Sequence, residues 1–451
     1  MTAEPWKEGP EHKEWTSPEV SGKILGEIEG ASGKPVPRPW AIACLKRIHE
    51  LRDRLKSLWI GLEIEGRDDH LLNWVLACLI ARENVLLLGG PGVAKTEIAE
   101  ITFRWLGLAP PHASLDAGLT SPKPEDFHLW WNERVAREKK QQKYFRYLLS
   151  RFTQPDELFG PIEISLLRQG VLTHINFGML TGPGVRAAFL DEVFKASSSI
   201  LNSLLTLTQE REYFNLGGMV RSDLVMFIGA SNELPGGLAT GAFGLGSGGE
   251  DFNLLYAFLD RFPVRIEAPL ASGSMPSGRN HKDSNLGRAT EKAIQRESRR
   301  FTAGEGFEPP RWKNGAPSIN DVLLLGRCCL EQEILNRESL DKGGLFDQKA
   351  LDEFKNAFYS IGAALQETQT EAASNRVSWT ISPRKLKALY KIALAHALIC
   401  DDGFGLESDC VNGPSDKQLH VFDFIWDSPV ERGELADNVK RNISSFWRKK
   451  R

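Results

Sequence analysis

Apolar positions change their spacing several times along the chain, and each change predicts an element. Ile42, Leu45, Ile48, Leu51, Leu55, Leu58 and Leu62 recur every three to four residues, which is one face of a helix, and Pro39 stands where it can open that helix. Leu71, Leu72, Val75, Leu76 and Leu79 repeat the pattern. The period then gives way to the continuous run Val85-Leu86-Leu87-Leu88, as in a strand buried on both faces. Two more runs of this kind follow: Ala187-Ala188-Phe189-Leu190 and Leu224-Val225-Met226-Phe227-Ile228-Gly229-Ala230. Amphipathic stretches lie between them, from Thr96 to Leu106 and from Ile200 to Leu207. Buried strands alternating with helices predict a parallel α/β layer. From 319 to 335, from 345 to 365 and through Leu386, Leu389, Tyr390, Ile392, Ala393 and Ala397 the spacing is helical without interruption, which predicts an all-helical second part.

Stretches without a period divide the chain. Residues 1–39 are rich in Glu, Lys, Gly and Pro and read as a mobile arm. Residues 40–270 hold the α/β core with its preceding helix, 271–317 a polar insertion, 318–402 the helical lid and 403–451 a tail. The tail ends in Phe446-Trp447-Arg448-Lys449-Lys450-Arg451, read as a frayed terminus. The first helix is expected on the α/β core or on a neighbouring subunit.

Composition narrows the class. Hydrophobic residues at 41% and charged ones at 25% describe an ordinary globular chain, and a net charge of −3 supplies no field for nucleic acid or an anionic membrane. Local exceptions exist. Between Arg134 and Arg146 basic residues interleave with Tyr144 and Phe145, which is either a surface for single strands or a solvated helix face. The six cysteines form no C-x-x-C pair, so neither a disulfide framework nor a zinc site is indicated and a cytoplasmic protein is expected. No apolar run is long enough for a membrane span.

The chemistry begins after the first apolar run, at Gly89-Gly90-Pro91-Gly92-Val93-Ala94-Lys95-Thr96. Glycines let consecutive backbone N–H groups face one anion, and the following helix adds the positive end of its dipole. These eight residues and Glu97 are the candidate nucleotide contacts, with Lys95 on the β- and γ-phosphates and the Thr96 hydroxyl on Mg²⁺. Ala94 replaces the usual glycine before the lysine, and a helical φ there suits alanine. The second apolar run ends in Asp191-Glu192, where Asp191 would organise the metal shell and Glu192 would polarise the attacking water. The third ends at Ser231-Asn232, and the Asn232 amide could hold that water. ATP and Mg²⁺ are therefore the expected substrate and cofactor, and the linker 61–68 is either an adenine contact or a plain surface loop.

Taken together, the phosphate loop, the stretches 151–161, 189–196 and 199–206, Glu210-Arg211, Ala230-Ser231-Asn232-Glu233-Leu234-Pro235 and Leu259-Asp260-Arg261-Phe262 resemble the MoxR family of AAA+ ATPases, most closely its RavA branch. The resemblance implies a five-stranded parallel AAA+ P-loop sheet flanked by helices, a helical lid, and a ring, usually hexameric, that couples ATP hydrolysis to remodelling of client proteins. It implies Lys95 and Thr96 as the Walker A pair, Asp191 and Glu192 as Walker B, Asn232 as sensor 1, Arg261 as the arginine finger and Arg384 as sensor 2, reaching into the nucleotide crevice from the lid. It also implies a partner with a von Willebrand factor A domain. Glu163 to Met179 resembles the family's insert, in which Ile175 and Phe177 are candidates for client contact or plain hairpin residues. A nucleic-acid motor or loader and a nucleotide-gated scaffold are the alternative functions.

Overall fold

The computed structural model describes residues 36, 38–58, 69–90, 95–108, 143–170, 174, 176, 179–215, 218–232, 250–267, 311–333, 345–371, 381–400, 414–426 and 432–450. Pro91 to Ala94, Ile175 and Phe177, and most of the basic stretch and the polar insertion, lie outside these residues.

Five strands form one sheet: β1 (Val85–Leu88), β2 (Tyr144–Leu148), β3 (Ala187–Asp191), β6 (Met226–Ser231) and β7 (Val264–Glu267), in the order β2-β3-β6-β1-β7. Every pairing is parallel. Parallel neighbours need crossovers, and these carry α3 (Lys95–Trp105), α6 (Ser198–Glu210) and α7 (Glu250–Leu259), with the short helices α4 (Pro155–Phe159) and α5 (Ile164–Leu167) after β2. Helices on the faces leave the central strands β1 and β6 buried along their whole length, which is why they read as unbroken apolar runs. The register sets Leu88 opposite Ser231 and Leu148 opposite Asp191. Gly89, Asp191 and Asn232 thus leave the sheet at one edge, the carboxyl ends of the strands.

Sequence spacing had not indicated the antiparallel hairpin β4 (Glu212–Asn215) and β5 (Gly218–Arg221). Phe214 and Met219 face each other across it, both exposed. The stretch Tyr144-Phe145-Arg146, read as part of a helix face or a stacking surface, is instead strand β2, with both aromatics buried and Arg146 paired with Glu100 at 3.3 Å. Rings committed to the core cannot stack on bases.

The helical part comprises α8 (Ile319–Glu333), α9 (Gln348–Glu371) and α10 (Pro383–Cys400). Helix α2 (Leu71–Ala81) runs between this part and the sheet, and all eleven of its residues are buried. It packs on α10 and α8. A Cβ built on Gly326 of α8 would stand 2.2 Å from the Ile80 carbonyl oxygen, so this close approach of two helices requires glycine. The first helix, α1 (Arg38–Leu58), was expected on the core or on another subunit. It packs chiefly on α8 instead, through the buried pair Arg47–Asp321.

The end of the chain also differs from expectation. A short helix α11 (Asp416–Leu419) and the turn after it bury Val421, Phe422 and Trp426, and Arg265 of β7 donates to the Ile425 and Trp426 carbonyls. Helix α12 (Arg432–Lys450) then packs on α9 with Leu435, Val439 and Ile443 buried. Those three recur every four residues, an apolar stripe that a charged surface disguises.

Candidate active site

Position follows from the strand ends. Lys95 opens α3 and its Nζ turns back to donate to the Gly89 and Gly90 carbonyls, the latter at 3.1 Å, and to Asn232 Oδ1 at 2.8 Å. The same Asn232 donates through Nδ2 to Glu192 Oε1. An ammonium only donates and a carboxylate only accepts, so the amide's orientation is fixed by its two neighbours. Thr96 Oγ1 donates to Asp191 Oδ2 at 3.3 Å. Burial depresses the Lys95 pKa, and the Asp191 and Glu192 charges partly offset that effect.

Glu192 sits in left-handed backbone at φ 54°, ψ 44°, a costly conformation for a non-glycine residue and one that clusters at functional sites. It directs the carboxylate back across the crevice. Oε1 also pairs with Lys195 at 3.2 Å, while Oε2 is buried and has no hydrogen-bond partner among the described residues. An acceptor without a donor in a buried position is expensive, and a water placed there would satisfy it. Lys195 had no assigned role in the sequence, although its place three residues after Glu192 puts it within reach. Glu97 lies half-buried in the first turn of α3. Beside Lys95 opens an apolar crevice lined by Leu71, Leu72 and Val75 of α2, Leu87, Ile98 and Ile266.

The two arginines are elsewhere. Arg261 directly precedes β7 and therefore lies at the amino-terminal edge of the sheet, opposite the crevice. Its Nη1 donates to Ala257 O at 3.1 Å, and Nε is buried without a partner among the described residues. Arg384 does not reach into the Lys95 crevice as the resemblance implied. It begins α10, and Nη1 donates to Gln209 Oε1, at the end of α6, at 2.9 Å. The docking of α10 along α2 carries its first turn to this edge. Burial lowers the Arg261 pKa and the neighbouring Arg384 charge lowers it further, against Asp260 and Glu210. Two guanidiniums this near one another repel.

Residues 132–270 match the family described as the MoxR domain in the MoxR-vWA-beta-propeller ternary systems. Over those residues the chain is similar to a MoxR domain. Two uncharacterised proteins of Methanocaldococcus jannaschii are similar to it, one 31% identical over 222 residues (49% of this chain, 43% of the relative) and one 32% identical over 219 residues (48% and 43%). The match thus spans less than half the length of either relative. In fold, the chain is similar to the crystal structure of a candidate ATPase from Cytophaga hutchinsonii, with a TM-score of 0.52 and 15% identity over 89% of this chain and 96% of that one.

Outside the Lys95 crevice, Asp69, His396 and Cys400 bring ligand atoms within 4.8 Å of one another. Their hydrogen bonds argue against a metal. Gln418 Oε1 accepts from Ser415 N and Oγ, so its Nε2 donates to His396 Nδ1 at 3.1 Å and the ring proton sits on Nε2, facing Asp69 at 3.2 Å. Asp69 also accepts from His70 N, Asn73 Nδ2 and Trp74 Nε1. Burial and the Asp69 charge push the Cys400 thiol up to about 12. The cluster joins α2 to α10. No described helix is long and apolar enough to cross a membrane.

Proposed function

We propose that this chain is a MoxR-type AAA+ ATPase that hydrolyses Mg-ATP and uses the cycle to remodel or activate client proteins in the cytoplasm. The observation that carries the reading is the hydrogen-bonded chain Lys95–Asn232–Glu192 beside the pair Thr96–Asp191, all at the carboxyl ends of adjacent parallel strands. That is the crevice in which an open α/β sheet binds its ligand.

The residues fit a nucleoside triphosphate with a divalent cation. Thr96 and Asp191 offer two hard oxygens for Mg²⁺, whose chemistry would be to neutralise phosphate charge. Lys95, now on three neutral acceptors, would turn to the phosphates with Gly89 to Ala94, and Glu97 would flank them. Glu192, with its unpartnered Oε2, would take the proton of the attacking water, and Asn232 would hold water and carboxylate in line.

Arg261 and Arg384 face away from this crevice, which supports their acting on the nucleotide of another copy. Such head-to-tail contact closes into a ring or runs on as a helix, and a hexameric ring is the proposed assembly. The matched family's description favours a von Willebrand factor A partner. The motif likeness to the RavA branch and the ternary-system family make different finer placements, and both are compatible with that partner. The nucleic-acid reading loses support because Tyr144 and Phe145 are core residues; against the scaffold reading stands a sequence that keeps both Glu192 and Arg261.

Equilibrium binding of ATP tests the reading. Lys95→Ala should abolish ATP binding and turnover together. Undiminished ATP binding by that variant would overturn the assignment of the crevice.

A further inference from the structure

We propose that Asn84 positions the Arg261 finger, an inference that rests on the reading of Arg261 given above. Asn84 lies between α2 and β1 and is 3% exposed. Its amide has three partners from distant parts of the chain. Nδ2 donates to Thr208 O and to Arg261 O, both at 2.9 Å, and Oδ1 accepts from Arg211 Nη2 at 2.8 Å. Carbonyls only accept and a guanidinium only donates, so one amide orientation satisfies all three.

This matters because the Arg261 side chain does little to fix itself. It makes one bond, to Ala257 O, and leaves Nε unpartnered among the described residues. Its direction is set by the backbone turn after α7, and the Asn84 amide tethers that turn. The other side of the tether is rigid. Arg211 caps α6 in left-handed backbone at φ 61° and reaches the Val225 carbonyl at 3.3 Å as well. Asn84 also stands one strand, about 16 Å, from Gly89 at the far end of β1. Its side chain is therefore remote from its own nucleotide site and adjacent to the group offered to the next copy.

Removing the tether should separate two quantities that a general loss of structure would move together. In Asn84→Ala, turnover should fall about 10²-fold, as for a misplaced catalytic group, while ATP affinity is unchanged. Asn84→Asp keeps an acceptor for Arg211 but sets carboxylate oxygens against two carbonyls, so it should fail similarly. Mixed assemblies provide the decisive measurement. With Lys95→Ala protein, whose finger is intact, Asn84→Ala protein should regain activity, because intact pockets then meet intact fingers. With Arg261→Ala protein it should regain none.

Rescue by both partners, rescue by neither while the Arg261→Ala and Lys95→Ala mixture recovers, or a parallel loss of ATP affinity would each overturn the role of Asn84. Failure of that control mixture would instead remove the finger reading and this inference with it. If Asn84→Ala does not fold, Asn84→Ser, which keeps one donor, takes the same tests.

Discussion

Replacing Glu192 with glutamine separates chemistry from binding, and the structure supplies the size of each effect. Oε1 accepts from Asn232 and Lys195, and the glutamine carbonyl can keep the Asn232 bond. Lys195 is 53% exposed in its side chain, so losing that ion pair costs well under about 1 kcal/mol. The replacement also removes a carboxylate that is 7% exposed and has one oxygen without a donor, which relieves desolvation. Thermal stability should therefore hold or rise slightly. ATP binding should persist because Lys95 and the phosphate loop are untouched. What disappears is proton acceptance, which contributes about 10²–10⁴ in rate, or roughly 3–5 kcal/mol of barrier at 1.36 kcal/mol per factor of ten. Phosphate release under saturating ATP, equilibrium binding and a melting curve make up the assay. Turnover at the parental rate would refute the role of Glu192, and loss of ATP binding would refute the geometry.

Two further expectations follow from the placement of other residues. Arg384→Ala should reduce turnover without weakening ATP binding and should be rescued by Lys95→Ala protein in mixed assemblies; a marked loss of ATP affinity in Arg384→Ala alone would return the residue to its own crevice. Burial raises the Asp69 pKa, but hydrogen bonds from His396, Asn73 and the His70 backbone outweigh it and hold the group at about 2. A depressed acid stabilises the fold above its unfolded pKa near 3.8. That contribution, about 2 kcal/mol, is lost as pH falls through 2. Denaturant titrations of Asp69→Asn and parent should therefore differ most at neutral pH and converge only below about pH 2; a difference that does not change with pH would show that the charge is not the cause.

The parts of the fold legible in the sequence were those whose environment is uniform. Val85 to Leu88 and Met226 to Ser231 are buried on both faces, so nothing interrupts their apolar runs, and the motifs at their ends announced the crevice. Tertiary position was another matter. The exposed Phe214 and Met219 put apolar residues on the open face of β4 and β5, leaving no alternation to read. Leu435, Val439 and Ile443 are separated by charged and polar residues that hide the stripe of α12. The direction of Arg384 depends on how α10 docks along α2, a contact between residues more than three hundred apart, and motif order is silent about it. Asn84 is a single polar residue before a strand. Its three partners come from segments that only the folded sheet brings together.

Helix α2 bears on where this molecule can be divided. With Trp74 stacked on His396 at 3.7 Å, Gly326 seated against Ile80 and no polar face along its length, it is a wall shared by two rooms. A chain ended after β7 would leave the side of α2 that meets α8 and α10 in water, at about 1.5–3 kcal/mol for each large apolar side chain uncovered. The α/β layer and the helical part are therefore expected to melt together as one cooperative unit, and a self-sufficient piece of this chain to need both.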